Sequence, residues 1–305
     1  MHMNENKGLI LVFLTAIISG FSIFVNSYGV KEFDSSIFAF MKNSIVAVLM
    51  FSVIILAGNF SEFRKLKEKQ WSRLMAIGLI GGSIPFLMFF KGMQLTTGTT
   101  SSFMHKTIFI YASALAVVFL KEKLNWKIIL ASLLLVFGNY LFIKPDFIFS
   151  IGHLLVFGAV ILWACEYAYS KHVLKELSGN IVAFGRMFFG SLFILIFLFI
   201  TGKTSKFSML GPNHFMWLSI TSAFLLLYVM TFYNGLKHVK LSTAACILSL
   251  GAPITTVLGF IFQDKPLGVM QGFGILLIAA GAVFAVLYSK ESSKLALGQE
   301  QHGRN

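Results

Sequence analysis

The sequence predicts an all-α, polytopic membrane protein of ten transmembrane helices in two inverted five-helix repeats, and three observations predict it. Composition is the first: 57% of residues are hydrophobic and 12% charged, with a mean hydropathy of +0.81. That is more apolar surface than a soluble core can hide, with too little charge to dissolve the remainder. The second is internal duplication. A shift of 143 positions lays Phe89–Leu124 over Phe232–Leu267 without a gap, pairing Gly92 with Gly235, Thr100 with Thr243 and Phe119 with Phe262, and the register runs on to Gly138 and Gly281. At a shift of 144, Ala39 and Phe40 fall on Ala183 and Phe184, and Lys42 on Arg186. The third is charge. With the N-terminus in the cytoplasm, 16 of the 25 Lys and Arg fall in loops on that side, 5 on the other and 4 within helices. The positive-inside rule therefore puts both termini in the cytoplasm and the chain, multi-pass, in the cytoplasmic (inner) cell membrane. Five spans per copy is odd, so the second copy enters the bilayer from the opposite face.

Spans follow from length, because a hydrocarbon core of ~30 Å needs about 20 apolar residues at ~1.5 Å rise each. They are expected at 8–29, 35–58, 71–93, 98–120, 124–143, 151–170, 180–201, 213–235, 241–262 and 267–288. The first repeat thus covers 8–143 and the second 151–288, and the polar stretch 289–305 reads as a disordered cytoplasmic tail. The run Gly8–Tyr28 lacks an AxA-like cleavage site and reads as a retained helix. Gly81, Gly82 and Pro85 in the third span, and Gly251 and Pro253 in the ninth, mark soft points where bending would open or close a path. Gly274 and Gly281, echoed by Ala131 and Gly138, form a close-packing face that serves either within the chain or in a homodimer.

Cys165 and Cys246 both lie in apolar segments, which leaves no disulfide framework and no CxxC metal cluster. No cofactor is expected. The net charge of +13 is spread over short loops and reads as membrane orientation, not as a nucleic-acid surface. A GxxxxGK[ST] phosphate loop is absent, so any energy input comes from gradients or exchange.

Ionisable groups inside a bilayer are costly, and each is a site hypothesis. Glu166 is the one acid placed deep within a span. It reads either as a proton acceptor or cation partner, or as one half of an internal salt bridge with Lys106, Lys42 or Arg186. Ser102, Lys106, Phe109 and Ser113 share a helical face in the fourth span, next to His105. Ser242, Cys246, Ser249, Pro253 and Thr256 form the matching stripe in the ninth, and two such facing stripes, related by the repeat, would line a central cavity. The alternative for the hydroxyl groups is back-bonding to their own helix. Thr15, Ser19, Ser22 and Asn26 make a third polar stripe, facing the cavity or a neighbouring helix. Trp163, one turn before Glu166, is placed to stack on a flat or cationic group or simply to pack; Tyr111, Tyr228 and Tyr233 are similar candidates. Lys42 and Arg186, matched by the repeat, read as a structural or gating pair. Lys91 reads as a snorkelling side chain.

With these residues in place the chain resembles the EamA-type ten-helix members of the drug/metabolite transporter superfamily across residues 8 to 288. The likeness rests on the charged corners LKEKL (Leu120 to Leu124) and QDKPL (Gln263 to Leu267), on Leu162-Trp163-Ala164, on the Lys42 and Arg186 pair, and on Ala252-Pro253. Ser19-Gly20 stands where the family often has Trp-Gly, and Asp264 sits one position early in its corner. The resemblance implies a secondary transporter, not an enzyme, with a small-molecule substrate, the lipid bilayer as its surroundings and alternating access as its mechanism. Amino acids or related carboxylates, exported, are the implied class. A carrier of organic cations or drugs using Trp163 and Glu166 is the alternative within transport, and a polytopic membrane enzyme or receptor the alternative outside it.

Overall fold

The computed structural model describes residues 2–123, 126–143, 150–263 and 268–302. Among them nine helical stretches are long and apolar enough to cross a bilayer, and Trp126–Leu141 is a shorter apolar helix in the position of the fifth span. The first half comprises α1 (His2–Gly29), α2 (Ser35–Leu56), the short α3 (Phe60–Arg64), α4 (Glu68–Ile77), α5 (Ile84–Leu95), α6 (Gly98–Lys106), α7 (Ile108–Leu120) and α8 (Trp126–Ile143). The second comprises α9 (Ile151–Val173), α10 (Gly179–Ile200), α11 (Pro212–Leu236), α12 (Leu241–Leu248), α13 (Gly251–Gln263) and α14 (Val269–His302). The corner residues 264–267, with Asp264 and Lys265, lie outside the described residues.

The halves pack against each other in symmetry-related pairs. Helix α1 lies along α11 as α5 lies along α9, α2 lies on α10, and α8 lies on α14. The glycine face left open by the sequence is used inside the chain, in this last pair. A Cβ on Gly138 would come within 2.9 Å of the Gly274 carbonyl oxygen, and one on Gly281 within 2.9 Å of that of Ala131. Small residues let these backbones touch, the usual way to gain packing where lipid offers no hydrophobic drive between helices.

One difference from the sequence reading lies at the C-terminus. The stretch expected to be a disordered tail instead continues α14 as helix to His302. Lys, Glu, Leu, Ala and Gln there favour helix, and no proline stops it.

Three of the spanning segments are discontinuous. Between α4 and α5 the chain forms a π-helical turn, Gly78–Ser83. Pro85 lacks the N–H that an α-helix would offer to the Gly81 carbonyl, and Gly81 oxygen instead accepts the Trp163 indole N–H at 2.9 Å and Arg186 Nη2 at 3.2 Å. In the second half α12 stops at Leu248 and α13 starts at Gly251, just before Pro253. The sequence signalled both of these but not the third break. Helix α6 ends at Lys106 and α7 begins at Ile108; Thr107 maps onto Leu250 at the shift of 143, so the hinge is duplicated. The Thr107 hydroxyl donates to the Met104 carbonyl at 2.7 Å, a side-chain bond that competes with the helix ladder.

Candidate functional site: a cationic, aromatic cavity between the halves

The cavity is built from seven spans. Helix α1 supplies Ser19, Ser22, Ile23 and Asn26; α2 supplies Lys42; α5 supplies Phe86, Phe89 and Phe90; α6 supplies His105. The second half adds Trp163 and Tyr167 from α9, Arg186 from α10, and Leu225 and Tyr228 from α11. Its volume is about 70 Å³. Trp163 is the centre of an aromatic cluster, with ring centroids 5.1 Å from Phe89, 5.2 Å from His105 and 5.5 Å from Phe86.

Two cations border it. Lys42 is 1% exposed; its Nζ donates to Asn26 Oδ1 at 2.5 Å and lies 4.9 and 5.0 Å from the ring centroids of Phe38 and Phe90. Asn26 in turn donates to Ser22 Oγ at 3.0 Å. Arg186 lies 5.6 Å from the Phe86 centroid, donates from Nη1 to the Tyr233 hydroxyl at 3.1 Å and from Nη2 to Gly81 oxygen. Cation–π contact and hydrogen bonds offset part of the cost of burying charge here.

Glu166 stands behind this wall, fully buried and not among the residues that border the cavity. Its Oε2 is 3.9 Å from Arg186 Nη1, while Oε1 accepts the Tyr233 hydroxyl at 2.7 Å and the Ser170 hydroxyl. Of the readings the sequence left open for Glu166, the internal ion pair is the one this geometry contains, with Arg186 as the partner.

Several sequence candidates meet in the cavity: Ser22, Asn26, His105 and Trp163. Lys42 and Arg186, expected to be structural or gating residues, border it as well. Others stand apart. Lys106 is buried and donates to Ser19 Oγ at 2.7 Å, and its own carbonyl accepts Ser249 Oγ at 3.5 Å. The repeat-related residues Lys106 and Ser249 therefore meet where the two hinges approach, but no residue of the two stripes expected to line the cavity borders it. Ser102 is buried and is not part of the cavity wall. Tyr111 points away, edge-on to Phe157 at 5.8 Å. Pro85 and Pro253 act through the backbone. The sequence reading missed Tyr167, whose hydroxyl pairs with that of Tyr228 at 2.7 Å; Trp163, Tyr167 and Ser170 at i, i+4 and i+7 are the helical stripe that would have revealed it.

The two membrane ends of the bundle differ. At the lysine-rich end Glu122 accepts the Leu241 and Ser242 amides at 2.8 and 3.3 Å and the Ser242 hydroxyl at 2.6 Å, capping α12 across the halves. Lys171 donates to the Leu236, Lys237 and Val239 carbonyls, satisfying the C-terminus of α11. At the lysine-poor end a separate cleft of about 210 Å³, with Lys31, Thr96 and Thr97 in its wall, shares Ile23 with the central cavity. Nearby, Asp34 pairs with Lys206 at 2.7 Å and Lys203 at 3.5 Å. Partial burial pushes its carboxyl up, but the hydrogen bonds from Lys206 and the Ser36 amide and the charges of both lysines outweigh this and hold it at about 2. A depressed carboxylate stabilises the fold above its unfolded value and loses that contribution as pH falls through the folded one. The melting difference between wild type and Asp34→Asn is therefore expected to be flat from pH 8 to 5 and to shrink only below about pH 4. Solvent screening limits it to roughly 1 kcal/mol.

Comparison with known proteins agrees with this architecture. A solved crystal structure superposes with a TM-score of 0.76 over 93% of this chain and 97% of its own, at 11% identity, a likeness of fold. A relative from Clostridium kluyveri, described as an uncharacterized transporter, is 22% identical over 306 residues, spanning 95% of this chain and 96% of that protein. The model of the EamA-like transporter family matches twice, at residues 6–144 and 150–287, one match for each repeat. The chain belongs to the EamA-like transporter family.

Proposed function

We propose that this membrane transporter carries a small amphipathic metabolite with a carboxylate group, the amino acids and related carboxylates being the leading class, by alternating access. One observation carries the substrate reading: two buried cations, Lys42 and Arg186, border the cavity, and among the described residues no Asp or Glu lines it. A carboxylate entering there meets positive charge in a low-dielectric setting, where attraction is strongest. The aromatic walls suit an apolar body. An organic cation would face Lys42, which has no carboxylate partner among the described residues, and Glu166, the acid such a ligand needs, is engaged by Arg186, Tyr233 and Ser170.

Alternating access is supported by size and symmetry. Metabolite pockets are typically 300–1,000 Å³, far above the cavity's 70 Å³, so the walls must part to admit cargo. The hinges at Thr107 and Leu250, equivalent in two inverted halves, supply matched bending points. The lysine bias supports cytoplasmic termini in the inner membrane, and the direction we assign is export.

Counterflow in proteoliposomes tests the reading. Preloaded carboxylates are expected to drive accumulation of a labelled carboxylate, with amines of equal size inactive. Flux of amines alone, uncontested by any carboxylate, refutes it.

A further inference from the structure

The repeat makes the two cation sites comparable residue by residue. At the shift of 144, Lys42 corresponds to Arg186, Ser22 to Glu166 and Asn26 to Ser170. The side-chain bonds follow the same plan. In the second half Ser170 donates to Glu166, and Arg186 lies 3.9 Å from that carboxylate. In the first half Asn26 donates to Ser22 and Lys42 donates to Asn26. The plan is shared but the charge is not: where the second half has a carboxylate, the first has a hydroxyl.

The consequence is electrostatic. Arg186 is held through both terminal nitrogens, by Tyr233 and by Gly81 oxygen, with Glu166 alongside; its Nε, buried, has no acceptor on the protein. Lys42 has one neutral acceptor, Asn26 Oδ1, and among the described residues no carboxylate pairs with it. Its remaining N–H groups are offset only by the rings of Phe38 and Phe90. Phe86 and Phe90, one turn apart with centroids 5.7 Å from each other, seat the two cations on adjacent rings of α5.

We propose that Lys42 is the substrate anchor and that the replacement of the repeat's carboxylate by Ser22 is what leaves it available. The cavity then binds one carboxylate, between Lys42 and the Nε–H of Arg186, with an aromatic or otherwise apolar body against Trp163 and Phe89. Glu166 neutralises the second cation, so the site favours monocarboxylates over dicarboxylates. This deepens the carboxylate reading above and rests on it.

The test uses the full chain purified in detergent, with aromatic monocarboxylates (phenylacetate, indole-3-acetate, benzoate), the neutral phenylacetamide and the dicarboxylate phenylsuccinate as probes. Binding is read from thermal shift against concentration, since a ligand specific for the folded state raises apparent stability. At least one monocarboxylate is expected to stabilise the wild type, phenylacetamide not to, and phenylsuccinate to bind more weakly. Lys42→Met is expected to weaken the monocarboxylate by about ten-fold or more, as loss of one partner in a buried charge pair does, and Lys42→Arg to retain it. Ser22→Glu, which installs the missing carboxylate, is expected to produce the same loss and decides the matter if Lys42→Met does not fold. Binding in both Lys42→Met and Ser22→Glu within about two-fold of wild type, or tighter binding of phenylsuccinate, overturns the anchor assignment alone. Stabilisation of the wild type by amines and by no carboxylate overturns the reading on which it rests.

Discussion

Glu166→Gln is expected to destabilise the folded protein by about 3 kcal/mol, the lower end of the range for removing one member of a buried ion pair. The substitution keeps the shape of the side chain and leaves an acceptor for Tyr233 and Ser170, so the loss is chiefly that of charge. Arg186, 2% exposed, then stays in the bundle with no carboxylate nearby. The lower end applies because its nitrogen is 3.9 Å from the carboxylate, longer than a direct hydrogen bond, and because Tyr233 and Gly81 still hold it. Thermal unfolding in detergent measures the effect. The informative control is the double variant Glu166→Gln with Arg186→Met, expected to recover most of the loss because the stranded charge is gone. A single variant as stable as wild type, or a double variant less stable than both singles, means that the pair does not bear the charge balance assigned to it.

A second large effect is expected from one methyl group. A Cβ on Gly82 would lie 2.1 Å from the Arg186 carbonyl oxygen, and the obstruction is backbone, which no rotamer change relieves. On the facing helix a Cβ at Gly190 would meet Gly82 oxygen at 2.6 Å. Gly82→Ala must therefore push the π-helical turn off α10, at a cost of about 3 kcal/mol or more, beyond the usual overpacking range because nothing at the contact can yield. The displacement also moves the residue that carries Arg186, so ligand stabilisation is expected to fall with the melting temperature. Gly272→Ala in α14 is the matched control, since a Cβ there meets nothing within 4 Å. It is expected to be neutral or to stabilise by up to about 1 kcal/mol through helix propensity. Equal melting temperatures for the two alanine variants would remove the close approach of Gly82 and Arg186 as a determinant of the fold.

The same contrast separates what could be read from the sequence from what could not. Spans and duplication are properties of hydropathy and register, which a linear chain displays directly, and so the plan of apolar spans in two repeats was legible. So were Ser22, Asn26, His105 and Trp163, because a polar or amphipathic group on an apolar helix is conspicuous. The soft points at Pro85 and Pro253 were legible because a proline removes a backbone donor wherever it falls. The break at Thr107 was not, since a threonine that bonds back to its own helix looks like any other.

The sequence by itself determined which charges enter the membrane, because their positions in apolar runs settle that question alone. Only the tertiary structure decided which of them stand together. Glu166 was equally available to Lys42, Lys106 and Arg186 on paper, and the choice depends on the π-helical turn, which packs against both α9 and α10 and exposes Gly81 oxygen to Arg186, and on Tyr233 from α11. Pairing of buried charge falls off over a few ångströms, and distances of that size are set by how helices pack, which no periodicity in one helix records. For the same reason the glycine face of α8 and α14 became an internal contact, and Lys42, matched to Arg186 by the repeat, came to border the cavity without a carboxylate of its own.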